Sequence, residues 1–114
     1  MDTMEATLVT GRKVLVKELT TAEEELAIRA VGSGLKPDNP ASMKLLVSEF
    51  VKMMIVEIDG QKVSYQELTE KGLGNYFRLK EIRQLEELYN HIHVPSEVEN
   101  QSFLTSIKNV STLK

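Results

Sequence analysis

Apolar residues recur along this chain in two rhythms, and its elements begin and end where the rhythm changes. Residues 5–9 and 14–19 alternate partially, with Leu8, Val14 and Val16 toward one side, which predicts two half-buried strands. Thr10-Gly11 lies between them, and glycine supplies the φ > 0 conformation that a tight hairpin turn needs. Thr21 and Glu24 have the S/T-x-x-E spacing of a capping box, so a helix is expected from about Ala22 to Val31. Ala22, Leu26, Ala27 and Ala30 are its expected inner face. Glu23, Glu24 and Glu25 in its first turn suit the positive end of the helix dipole. Gly32-Ser33-Gly34 stops it, and Lys36-Pro37-Asp38-Asn39-Pro40 continues as a loop.

A second helix is expected from about Ala41 to Met54. Met43, Leu46, Val47, Phe50, Val51 and Met54 recur at i, i+3 and i+4, opposite a polar stripe of Lys44, Ser48 and Lys52. Residues 55–63 read as a second hairpin turning at Asp59-Gly60. Ser64 and Glu67 repeat the capping-box spacing and open a short helix ending near Gly72. The longest helix is expected over residues 75–92, with Leu79, Ile82, Leu85, Leu88, Tyr89 and Ile92 as its apolar stripe and Glu81, Arg83, Glu86 and Glu87 off it. Pro95 ends it. Residues 96–114 are rich in Ser, Thr and Asn, which suit helix interiors poorly, yet Phe103, Leu104, Ile107, Val110 and Leu113 recur at three- and four-residue spacing. The expectation is an α+β fold, mostly helical: an N-terminal β-hairpin, then a small helical bundle with a second short hairpin. Residues 1–95 are expected to form one domain and 96–114 a tail suited to docking either on that domain or on a partner.

Composition narrows the classes of function. The chain has 114 residues, one domain's worth, with 41% hydrophobic and 27% charged residues, as in ordinary globular proteins. A net charge of −3 and no basic run longer than Arg12-Lys13 count against nucleic-acid binding. With no cysteine there is no disulfide, thiol nucleophile or thiolate metal site. Its acidic start does not resemble a signal peptide. Leu45-Leu46-Val47 and Met53-Met54-Ile55-Val56 are far short of the roughly 20 residues that span a bilayer. The Asn100-Gln101-Ser102 and Asn109-Val110-Ser111 sequons carry no weight without secretion.

The candidate chemistry is thin. His91 and His93 are two apart: a strand would let them share a metal, with Glu97 and Glu99 near, but a helix points them to different faces, and at the end of the long helix they read as exposed helix-end histidines. Gly32-Ser33-Gly34 and Gly72-Leu73-Gly74 lack the lysine of a phosphate loop and read as helix stops. Glu23-Glu24-Glu25 and Glu86-Glu87 read as solvated faces. No catalytic residue, cofactor or metal site is expected. Met43, Met53 and Met54 suit either an irregular core or an adaptable binding surface.

Three segments, in order, carry a resemblance. They are residues 10–24, from Thr10-Gly11-Arg12-Lys13-Val14 to Leu19-Thr20-Thr21-Ala22-Glu23-Glu24; residues 56–63, around Asp59-Gly60; and Leu85-Glu86-Glu87-Leu88-Tyr89-Asn90, followed by Val94-Pro95-Ser96-Glu97-Val98-Glu99. Together they resemble the small tail-assembly chaperones and baseplate proteins of tailed, by this reading contractile-tailed, bacteriophages. Thr10 stands near the place of a usual proline, and the apolar tail has no counterpart there. The resemblance implies a non-enzymatic role through contact with tape-measure, tube or baseplate and hub components, without nucleic acid or membrane. It also implies a place in the host bacterial cytoplasm during assembly, or in the virion tail if the protein is retained. Chaperone and structural roles both stay open, as does the oligomeric state. Met43, Phe50 and Met54 on the second helix, and Phe103, Leu104, Ile107 and Val110 in the tail, are the expected contact residues. The alternative is a small helix-turn-helix DNA-binding regulator, for which Arg78, Lys80 and Arg83 come nearest to a basic face.

Overall fold

Two hairpin turns set the register of a four-stranded sheet. The computed structural model describes residues 3–32 and 39–112 of the chain; Ser33-Gly34 and most of the expected loop before Pro40 lie outside them. Strands β1 (Thr3–Thr7) and β2 (Lys13–Lys17) pair antiparallel. Between them the Gly11 amide donates to the Leu8 carbonyl at 2.8 Å, with Gly11 at φ 88°. β1 ends two residues before expected because Val9 belongs to this turn. Strands β3 (Ile55–Ile58) and β4 (Gln61–Lys62) form the second hairpin, with Asp59 and Gly60 both at positive φ, the backbone of a two-residue type I′ turn.

The hairpins do not stay separate. β2 pairs antiparallel with β3, giving one sheet in the order β1-β2-β3-β4. Its register shifts between Leu15, opposite Glu57, and Val16, opposite Ile55, so β3 carries Val56 as an extra residue. Strict alternation would put Ile55 and Ile58, three apart, on opposite faces. The bulge restores Ile55 to the inner face, and both isoleucines are buried beside Val14 and Val16.

Among the described residues, five helices and the 3-10 turn Leu73–Asn75 complete the α+β fold. α1 (Thr21–Val31) and α2 (Pro40–Met54) connect the hairpins, and α3 (Tyr65–Lys71), the turn Leu73–Asn75 and α4 (Leu79–His93) follow. α1 starts one residue earlier than the spacing predicts: Thr20 accepts from the Glu23 amide, and the Glu23 carboxylate accepts from the Thr20 amide. The adjacent pairs Thr20–Glu23 and Thr21–Glu24 have the same spacing, and geometry selects the first. α1 buries only Ala27, leaving Ala22, Leu26 and Ala30 exposed. Asn39 caps α2, with proline at its first position. Ser64 caps α3 as expected. α4 begins four residues later than expected because the 3-10 turn occupies its predicted start.

The core runs from Leu8 to Tyr89, with Ile92 packed against it. At its far end Phe50, Tyr89 and His93 stack in a row, with centroid separations of 5.1 and 4.3 Å. His93 is no free helix-end histidine. Its Nε2 accepts from the Leu19 amide at 2.8 Å, and its Nδ1 lies 2.9 Å from the Tyr89 carbonyl. A neutral ring protonated at Nδ1 satisfies both contacts and ties α4 to the strand–helix corner.

The expected tail is helical from Glu97 to Thr112, forming α5. Ser96 and Glu99 cap it reciprocally: the Ser96 hydroxyl accepts from the Glu99 amide and the Glu99 carboxylate from the Ser96 amide. No described element packs extensively along it. The radius of gyration is 16.7 Å, against about 13 Å for a compact chain of this length.

Replacing His93 by Ala strands the buried Leu19 amide, and urea unfolding is expected to show a loss of about 1–3 kcal/mol. His93→Gln, which offers an acceptor, is expected to lose less.

Candidate functional site

The densest polar cluster joins four separated segments. Arg12, just after the first turn, donates from Nε to Asp59 Oδ2 at 3.0 Å and from Nη1 to the Tyr76 carbonyl, and it lies over the Phe77 ring at 5.0 Å. Asp59 also accepts from the Lys13 amide at 3.0 Å. Glu81, on α4, is 1% exposed. Its Oε2 accepts from the Thr10 hydroxyl at 2.5 Å, its Oε1 from the Arg78 amide at 2.8 Å, and Arg12 Nη1 lies 3.7 Å away.

Burial pushes the Glu81 carboxyl upward, but the Arg78 amide, the Thr10 hydroxyl and the cations Arg12 and Arg78 outweigh it and hold the group below its usual 4.5. The Lys13 amide and then Arg12 lower Asp59 similarly. A cavity of about 640 Å³ opens beside the cluster. Every oxygen of Glu81 is already engaged, and the charges of Arg12, Arg78, Asp59 and Glu81 cancel. The chemistry available here is clamping rather than proton transfer.

Glu81 was expected to face away from the apolar stripe. Yet Glu81, Leu85 and Tyr89 are spaced by four and all buried, so that row already placed it inward. A row of buried residues accepts a carboxylate only when partners wait for it, and these come from residues 10 and 12.

Other acids are likewise structural. Glu23 binds Lys17 Nζ at 2.6 Å, and Glu24 faces the Tyr89 hydroxyl at 3.4 Å. Burial, together with Glu24, raises that phenol to about 12. Glu49 takes both the Tyr65 hydroxyl, at 2.5 Å, and Lys52, at 2.6 Å, latching α2 to α3. Arg78, Lys80 and Arg83 are exposed at the start of α4, but Glu86 and Glu87 follow on the same helix, so no uniformly basic face results.

The expected contact residues divide. Phe50 and Met54 are buried in the core, with Phe50 stacked on Tyr89 of α4, so neither offers a contact surface in the folded domain. Met43, one turn before Leu46, is 43% exposed. Phe103, Leu104 and Ile107 are exposed together on α5. Val110 lies outside the residues whose side chains are described.

A second apolar surface was signalled in the sequence only by Met53. A groove of about 440 Å³ runs between α1, the start of β3 and α3, lined by Leu26, Met53, Val56, Val63 and Tyr65, with Lys17 and Glu23 at its rim. Leu26, expected inside, is 55% exposed there. Met53 and Val56 sat in the longest apolar run, which was the available signal. Among the described residues no acidic, cysteine and histidine cluster has metal-binding geometry, and no helix is long and apolar enough to cross a membrane. No family model, curated protein or solved structure matches this chain.

Two predictions follow from this geometry. Met54→Ala is expected to cost about 2–5 kcal/mol in urea unfolding, while Met43→Ala stays within about 0.5 kcal/mol. Because Glu81 is lowered in the folded state, its contribution is complete above its usual 4.5 and is lost as pH falls through the folded value. The urea midpoint of the wild type should therefore drop below pH 4.5, and that of Glu81→Gln should drop less over the same range while starting lower at pH 7.

Proposed function

We propose that this protein acts without catalysis, by protein–protein contact, as an assembly factor for the tail of a bacteriophage. The observation that carries the contact reading is α5. Among the described residues every buried side-chain polar atom of the domain has a partner, while α5 leaves Phe103, Leu104 and Ile107 in solvent. Apolar side chains clustered on a capped helix are the form in which one protein offers a helix to another's groove. The ordered resemblance of residues 10–24, 56–63 and 85–99 to tail-assembly and baseplate proteins supplies the biological setting. Tape-measure, tube or hub proteins are the partners of that setting.

Co-expression with tape-measure, tube and hub proteins encoded beside it, followed by affinity capture, tests the reading. The wild type is expected to retain one of them at stoichiometric yield. Phe103→Asp with Ile107→Asp should cut that yield at least tenfold and leave the far-ultraviolet circular dichroism of the domain body intact. Failure of the wild type to retain any of the three classes would refute the tail-assembly reading.

A further inference from the structure

Asp59-Gly60 is the one place in the sequence where an aspartate or asparagine precedes glycine. In an open chain that pair is chemically labile, because a glycine without Cβ leaves its nitrogen open to the carboxyl carbon before it. In the fold the same two residues make the second hairpin turn, and Asp59 is the residue that Arg12 grips. We propose that Asp59-Gly60 is a latent isomerisation site, kept unreactive by its turn and by Arg12, and that its conversion to isoaspartate releases the clamp between the hairpins. This proposal stands independently of any role in tail assembly.

The reaction needs only water. The Gly60 nitrogen attacks Asp59 Cγ, an N–Cγ bond forms, and the carboxyl OH leaves with the amide hydrogen as water. Water then adds back to the cyclic imide. Cleavage of the N–Cγ bond restores aspartate, whereas cleavage at the main-chain carbonyl leaves isoaspartate. Nothing is oxidised or reduced, and the mass of the chain is unchanged.

The turn keeps the reacting atoms apart. Asp59 has φ 51° and Gly60 φ 83°, and the first residue of a type I′ turn has ψ of about +30°. That value places the Gly60 nitrogen nearly opposite Asp59 Cβ across the Cα–C bond, whereas ring closure needs the two eclipsed. The carboxylate is held as well. Arg12 Nε donates to Oδ2 and the Lys13 amide to Oδ1, each at 3.0 Å, and the Asp59 amide donates to the Lys13 carbonyl at 2.8 Å. The Lys13 amide and then Arg12 also hold the carboxyl below its usual 3.8, so the neutral acid, the better electrophile, is scarce. Reaction therefore waits for local opening of the turn, and its rate follows the open population.

The fold cannot simply discard the glycine. A Cβ at Gly60 would meet nothing within 4 Å, so crowding does not select it; the positive φ does. The consequence of reaction is equally local. Isoaspartate routes the main chain through Cβ, adding one backbone atom to a two-residue turn that sets Ile58 opposite Gln61 and Glu57 opposite Lys62. The pendant carboxylate is one carbon shorter, so Arg12 and the Lys13 amide lose their shared partner.

Peptide mapping of the full chain, aged for weeks at 37 °C and pH 7.4, tests the proposal. Trypsin releases residues 53–62, and electron-transfer fragmentation separates aspartate from isoaspartate. A synthetic peptide of residues 53–62, which lacks β2, gives the unguarded rate. The wild type is expected to form isoaspartate at least tenfold more slowly than the peptide, and Arg12→Gln at least threefold faster than the wild type. His93→Ala, which weakens the opposite end of α4, should stay within twofold of the wild type. The isoaspartyl form, separated by ion exchange, should unfold at lower urea than its parent. A wild type as fast as the peptide overturns the proposal, and that comparison needs no variant to fold. So does an Arg12→Gln rate equal to the wild type, an equal acceleration by His93→Ala, or an isoaspartyl form with the parent's urea midpoint.

Discussion

The fold depends on one arginine that reaches three other parts of the chain. Arg12 follows the first hairpin turn, and its guanidinium meets Asp59 of the second turn, the Tyr76 carbonyl and, more distantly, Glu81 of α4. Either hairpin alone would be a two-stranded unit, marginal in water, and Arg12 reinforces the β2–β3 ladder that joins them. With it, the tips of both hairpins are held at the N-terminal end of the same helix, and β2 and β3 are left side by side to pair. The planar fork of arginine suits this role because it presents several donors in fixed directions. Its buried partner Glu81 costs desolvation, which the Thr10 hydroxyl and the Arg78 amide offset by bonding both carboxylate oxygens.

The local elements were legible because their causes are local. Gly11, Asp59-Gly60 and Ser64–Glu67 each act within five residues, and each appears where its chemistry requires. The capping of α1 was ambiguous by one position because two threonines and two glutamates stand side by side. Ser96-x-x-Glu99 offered the same helix-start signal as Ser64-x-x-Glu67, but the Ser, Thr and Asn content of the segment argued against a helix. The cap and the apolar spacing prevailed over weak intrinsic propensities.

What the sequence concealed was the pairing of distant groups. Glu81 finds Thr10 across 71 positions, and His93 finds Leu19 across 74. Periodicity ranks residues by polarity, so it sends a glutamate outward and a terminal histidine to solvent. It has no means of seeing that a donor elsewhere needs them. The same blindness worked in reverse for Leu26. Its spacing from Ala22 and Ala30 placed it inside, but α1 buries Ala27 alone and turns Leu26 to solvent.

These errors bear on function because they separate the groups that hold the fold from those that remain uncommitted. Met54, Phe50, Glu81 and His93 belong to the first kind. Leu26, Phe103, Leu104 and Ile107 belong to the second, and that division makes surface substitutions informative. A 16-residue helix of this composition is marginal in isolation. Covering its apolar ridge therefore supplies part of the free energy that keeps α5 helical, and docking and helix formation become one coupled equilibrium. Coupling of this kind lowers affinity for a given area, since some of the gain is spent on ordering the helix. A contact of moderate strength covers an apolar surface and then yields it.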